Sequence, residues 1–262
     1  MDISSIVSST LQLARVTQSS QTGSTSGVGS SVSAQSVGAL LAPATKRLGQ
    51  QLESTNVRLS AYGQIKSAFA ATETAARGLT ETAGKATATT ADVTKAAQAL
   101  VSAFNQTSGS LRDAVQGTGS RPGALASDVR AQFAANDLAR SITGTTEETD
   151  LKAIGITRSK EGTLSLDVKA LEQALATNPT AAKSTLAALG GAVGATAERE
   201  LATTGNVGAS VGSLTSRSQS LSAQQASLQK QAETLQATLD AQNAVLNYTT
   251  ASGLSAYRSL LG

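Results

Sequence analysis

Apolar residues recur at helical intervals over most of this chain. Between 39 and 79, Leu48, Leu52, Leu59, Tyr62 and Phe69 follow one another at spacings of four, seven, three and seven. That rhythm places them along one face of a helix. Near the other end, Leu214, Leu221, Leu228 and Leu235 stand seven apart. Val211, Ala232, Leu239 and Leu246 lie on the alternate seam, which Ser218 and Gln225 interrupt. Gaps of three and four that alternate in this way are the pattern of a coiled coil. From Val211 to Leu246 such a helix is roughly 54 Å long at about 1.5 Å per residue, close to the length of the first. Charged residues are scarce beside the seams, and a free parallel dimer normally selects its partner with such charges. Pairing within one chain needs less specification, so two long helices are expected to pack antiparallel.

The stretch between them reads as shorter elements. Val93, Ala97, Leu100, Val101, Phe104, Leu111 and Val115 mark the apolar face of a helix over about 92–115. The run GTGSRPG at 117–123 is a loop, and a third helix over about 124–142 offers Leu125, Val129, Phe133, Leu138 and Ile142. Ile154 and Ile156, the turn Lys160-Glu161-Gly162, and the run Thr163-Leu164-Ser165-Leu166 predict a small β-hairpin. Asp167 is a suitable N-cap for the helix that follows. Asn178-Pro179 ends that helix and opens a short one to about Leu189, with Gly190-Gly191 closing the module. Pro43 suits a first helical turn. The fold class expected is therefore mainly α, a long antiparallel coiled-coil stalk with a small helix-plus-hairpin module. Its parts are an N-terminal assembly segment at 1–16 and a flexible Ser/Gly/Thr-rich linker at 17–38. A stalk helix at 39–79, a joint at 80–90, the module at 91–190, and a second stalk helix with tail at 191–262 complete the chain.

Composition narrows the function classes. The chain has no Cys and no His, which removes disulfides, thiolate nucleophiles and imidazole bases. No cofactor and no metal site is expected. It has three Phe, three Tyr and no Trp, so thin alanine-rich helical packing is favoured over a thick core. Lys and Arg number 21 against 18 Asp and Glu. No segment concentrates the basic ones, so nucleic acid is not an expected partner. No apolar run of about 18 residues suggests a membrane span. The opening MDISSIVSSTLQLAR lacks the basic and apolar regions of a secretory signal peptide.

Several motifs dissolve on inspection. Gly78 and Gly84-Lys85 are one residue too far apart for a phosphate-binding loop, and Ala86 stands where a hydroxyl is needed. Ser227-Leu-Gln-Lys230 matches an acyl-transfer motif but sits inside a leucine heptad without companions. Glu147, Glu148 and Asp150 are read as a solvated acidic loop. Asn105-Gln-Thr107 and Asn247-Tyr-Thr249 fit the glycosylation pattern but fall in helical stretches. No enzyme is expected.

Five segments carry a resemblance. Arg58-Leu-Ser-Ala-Tyr-Gly-Gln-Ile-Lys-Ser-Ala-Phe69 resembles the "LSAYGQLKSAL" segment of flagellar filament cap proteins, the FliD family (hook-associated protein 2). Asp2 to Val7 is similar to that family's opening segment, and Ala99 to Asn105 resembles its "lV.aYN" helix. Gly123 to Asp128 looks like its "GaLagD" stretch, and Leu151 to Leu186 resembles its "lGi…dGtL.lD…al..np" module. Two departures stand out. Only residues 80–90 occupy the place of the family's β-rich heads, and a Ser/Gly-rich stretch separates the opening segment from the long helix. The resemblance implies a structural protein at the growing filament tip, exported by the flagellar type III pathway. It implies a homo-oligomer that promotes flagellin assembly, with flagellin or hook-associated proteins and an export chaperone as partners. Ile3, Ile6, Leu254, Tyr257, Leu260 and Leu261 are the candidate self-assembly residues. The alternative is an amphipathic helical surface coat, such as a storage-granule phasin, against which the hairpin module argues.

Overall fold

The structure is a computed structural model and describes residues 34–143, 147–160 and 162–261. The expected assembly segment at 1–16, with Ile3 and Ile6, lies outside the described residues, as do residues 17–33 of the expected linker. The elements are α1 Ala34–Gly84, α2 Thr90–Gln116, α3 Val129–Thr143 and α4 Glu148–Ala153. A hairpin of β1 Ile156–Arg158 and β2 Leu164–Leu166 follows, then α5 Val168–Thr177, α6 Pro179–Leu201 and α7 Asn206–Leu261. The fold is mainly α with one small two-stranded antiparallel sheet.

Two compact units divide the chain. One has 34–42 and 230–261 as its described parts, and the other is Pro43–Gln229. On α1 the division falls at Pro43, which sits inside the helix rather than in its first turn. The proline ring removes the N–H that an α-helix would bond four residues back. The expected boundary at 39 is corrected by this helix, which starts at Ala34. Ala39, Leu40, Leu41 and Ala42 are strong helix formers that sustain it through Gly38.

Within 43–229, α1 and α7 run antiparallel. Ser218 Oγ donates to Asn56 Oδ1 at 2.8 Å, and Tyr62 lies against Ser210, so the partner number falls as the α1 number rises. The α1 face is buried at Leu48, Thr55, Tyr62, Phe69, Ala76 and Ala83, an unbroken seven-residue repeat, with Ile65, Thr72 and Leu79 beside it. On α7 the matching repeat is Val207, Leu214, Leu221 and Leu228. Thr55, the polar member, satisfies its hydroxyl on the Gln51 carbonyl at 2.7 Å.

The remaining helices complete the core. α2 packs on α3, α5, α6 and β2, while α3 also packs on α6. α2 begins with a reciprocal cap: Thr89 accepts from the Asp92 N–H, and the Asp92 carboxylate accepts from the Thr89 N–H. Its buried side includes Val93, Ala97, Leu100, Phe104 and Leu111, with Val101 and Val115 half-buried. α3 departs from expectation. It starts at Val129 after a turn at 124–127, and Val129 and Phe133 are 57% and 55% exposed. Its buried face is Ala131, Ala134, Leu138, Ser141 and Ile142. Asp128 caps the helix and fixes its rotation, so the small alanines turn inward.

Asp167 caps α5, accepting from Lys169 N–H and Ala170 N–H, and Asn178 caps α6 with Pro179 in its first turn. α6 does not stop at Gly190-Gly191 but continues to Leu201. Gly190 is a contact surface instead. A Cβ there would sit 2.6 Å from Thr80 Oγ1 and 2.9 Å from the Ala76 carbonyl oxygen, so the absent side chain lets α6 approach α1. At Gly194 a Cβ would meet only the Ala76 Cβ, at 3.4 Å. Gly190→Ala is therefore expected to lower the thermal midpoint, overpacking costs of about 1–3 kcal/mol exceeding a helix-propensity gain of up to about 1 kcal/mol. Gly194→Ala should raise it. Thermal denaturation of both variants checks the pair, and shifts of the same sign would contradict this packing.

Candidate functional site

The segments with recognisable sequence meet in two polar clasps. The first joins α1 to the start of α3. Asp128 receives the Arg58 guanidinium on Oδ2 and the Tyr62 hydroxyl on Oδ1, the latter at 2.8 Å. The same Oδ1 accepts the Arg130 and Ala131 N–H groups, which is an N-cap. Burial alone would raise this carboxyl, but Tyr62, Arg58 and the Ala131 N–H outweigh it and hold the group below the usual aspartate value. Tyr62 is fully buried, and its phenol is pushed well above its ordinary value, burial being the largest cause. Ser210 of α7 also bonds it. This cluster is a structural tie between three helices.

The second clasp joins α2 to the hairpin. Residues Gly155 and Asp167 and residues Ser159 and Thr163 bond across the hairpin, which leaves the Leu164 N–H and carbonyl pointing outward. Asn105 takes both. Its Nδ2 donates to the Leu164 carbonyl at 2.8 Å and its Oδ1 accepts from the Leu164 N–H at 2.7 Å. Thus a side-chain amide substitutes for a third strand. The glycosylation reading of Asn105 has no support here, because its amide is engaged and Thr107 is buried on Thr72 at 2.8 Å. Gly155, at φ +75, enters the hairpin where a Cβ would collide with the Asp167 carbonyl oxygen at 2.6 Å.

In both clasps the polar groups are spent on one another and on backbone amides and carbonyls. Among the described residues no group of His, Cys, Asp and Glu is placed to hold a metal ion. Glu148 pairs with Lys152 on the exposed face of α4. Gly78 and Gly84 lie in helix α1, and Ser227 and Lys230 in helix α7. No described helix is long and apolar enough to cross a membrane.

The seam residues fall into two groups. Leu48, Tyr62, Phe69, Leu214, Leu221 and Leu228 are buried, while Leu52, Leu59 and Val211 are half-buried. Ile65, Val207 and Ser210 are buried members that leucine spacing does not reveal. In the other unit, Leu41 is buried, and Leu235 and Leu239 are half-buried. The last helix runs to Leu261. Along it Val245, Tyr248, Leu254 and Tyr257 are 63–76% exposed. Leu260 and Leu261 belong to this helix, and the side chains of Leu246, Leu260 and Leu261 lie outside the described set. At about 100° per residue Val245 and Tyr248 share one side of the helix, and Leu254 and Tyr257 the other.

The model of the flagellar hook-associated protein 2 C-terminus matches residues 74–250. No curated protein matches the chain. The match takes in α2 to α6, both sides of the Asn105 clasp, and α7 as far as residue 250.

Proposed function

This chain belongs to the flagellar hook-associated protein 2 family, and from that premise we propose that it is a structural cap acting at a filament tip by self-association. It promotes the assembly of flagellin there, after export by the flagellar type III pathway with the help of a chaperone. The observation that carries the reading, beside family membership, is the exposure of four large apolar residues, Val245, Tyr248, Leu254 and Tyr257, on the last helix. Ile3, Ile6, Leu260 and Leu261 are proposed as further self-assembly residues. Within 43–229 the antiparallel pair of α1 and α7 serves as a coiled-coil stalk. Family membership does not favour a storage-granule coat, and the hairpin module has no evident use in one.

Deleting residues 254–262 tests this. Helicity by circular dichroism should fall only in proportion to the residues removed. Self-association in analytical ultracentrifugation should be lost, and labelled protein should no longer reach the filament tip. A deletion that keeps full self-association, or a wild-type protein never found outside the cell, would overturn the reading.

A further inference from the structure

α6 ends at Leu201 and α7 begins at Asn206, so residues 202–205 turn the chain into its last helix. Glu200, one residue before that turn, is 1% exposed. Its Oε1 accepts from Asn206 Nδ2 at 3.0 Å, which ties the two helices across the corner. Its Oε2 is buried and has no hydrogen-bond donor among the described residues. The group set against it is Asp137 of α3, a second carboxyl.

Two carboxylates offer each other only acceptors and like charge. A bond forms between them only when one carries a proton. No other group bonds Oε2 among the described residues, and Arg130 and Arg140 of α3 are exposed. The first turn of α7, Asn206 to Ala209, brings no charge. On Glu200's own helix, Glu198 is exposed and Arg199 turns its guanidinium to Thr196 Oγ1. From α1, the titratable Tyr62 is committed to Asp128 and Ser210.

We propose that Glu200 and Asp137 share one proton, and that this proton locks the corner between α6 and α7. With the proton in place, Glu200 keeps its bond to Asn206 and a second bond to Asp137. Without it, two negative charges sit in a buried site and the corner opens locally. Val207 and Ser210, which begin the α7 seam, lie within one turn of Asn206, so opening loosens the start of that seam. The direction of titration agrees. Burial raises Glu200 most; Asn206 pulls it down, and Asp137 raises it further, leaving it above the ordinary glutamate value of 4.5. A carboxyl raised in the folded state contributes stability in full below its unfolded value. That contribution is lost as pH rises through the folded value.

Glu200→Gln keeps the bond to Asn206 and stands for the protonated group. The thermal midpoint of this variant and of the wild type should be measured from pH 4.5 to 8.5. The variant's advantage should widen with pH by several degrees. Amide exchange at residues 202–210, compared with the variant at each pH, should show excess opening of the wild type only at the alkaline end. Asp137→Asn removes the like charge and should flatten the wild-type profile in the same way. It also decides the matter if Glu200→Gln does not fold. A midpoint gap that stays constant with pH, or a wild-type profile unchanged by Asp137→Asn, would overturn the shared proton.

Discussion

Phe104→Ala is expected to destabilise the chain by about 3–5 kcal/mol, while Phe133→Ala should change stability by less than about 0.5 kcal/mol. Phe104 is fully buried on α2, within a core that includes Leu100, Leu111 and Leu138. With three Phe in the chain, removing one from the core leaves a void that alanine neighbours are too short to fill. Phe133 is 55% exposed on α3, so its truncation leaves no cavity. Chemical denaturation of the two variants gives the comparison directly. Equal losses would mean that α3 is rotated from the position described.

Asp128→Ala is expected to cost about 2–4 kcal/mol. Losing the cap of α3 contributes about 1 kcal/mol, and leaving the buried Tyr62 hydroxyl without its acceptor contributes about 1–3 kcal/mol. The Arg58 side chain is 43% exposed, so water screens that ion pair and it adds little. Asp128→Asn keeps an oxygen for Tyr62 and the helix amides and should cost less. The two forms also differ in pH dependence. The Asp128 carboxyl is held below its ordinary value of 3.8 in the folded state. Its ionic contribution is therefore present above that value and lost as pH falls through the folded value. The gap between wild type and Asp128→Asn should close in acid. A gap that is independent of pH down to the acid limit would show that the carboxylate charge has no part in the clasp.

These two side chains show what the sequence makes legible and what it hides. Heptad leucines on the last helix and the Leu48-Tyr62-Phe69 series announce the antiparallel pair, because apolar periodicity is a direct trace of burial. Asp167 and Asn178-Pro179 announce their helix starts for a similarly local reason: the capping bond spans three residues. The face of α3 is hidden because alanine and serine fill it, and they carry almost no hydrophobic contrast. Gly190 reads as a helix stop, but its role depends on Ala76 and Thr80, far away in sequence. Asn105 and Glu200 are hidden for the same reason. A lone amide or carboxyl looks like helix surface until the fold brings Leu164 or Asp137 beside it. No pattern of a few neighbours could disclose them.

The antiparallel pair sets an order on synthesis. Asn56 meets Ser218, 162 residues later. As the chain leaves the ribosome, Tyr62, Ile65 and Phe69 emerge well before Val207 and Leu214 exist to cover them. The central helices can gather early, since their neighbours are close in sequence, and they cover part of the α1 face, but the part that meets α7 waits for the last helix. Long-range closure of this kind slows folding, and apolar surface left open meanwhile invites misassociation. A nascent chain stalled before residue 206 should therefore be more prone to aggregate than the finished protein. Anything that shields the α1 face during that interval would act as a folding aid without touching the completed stalk.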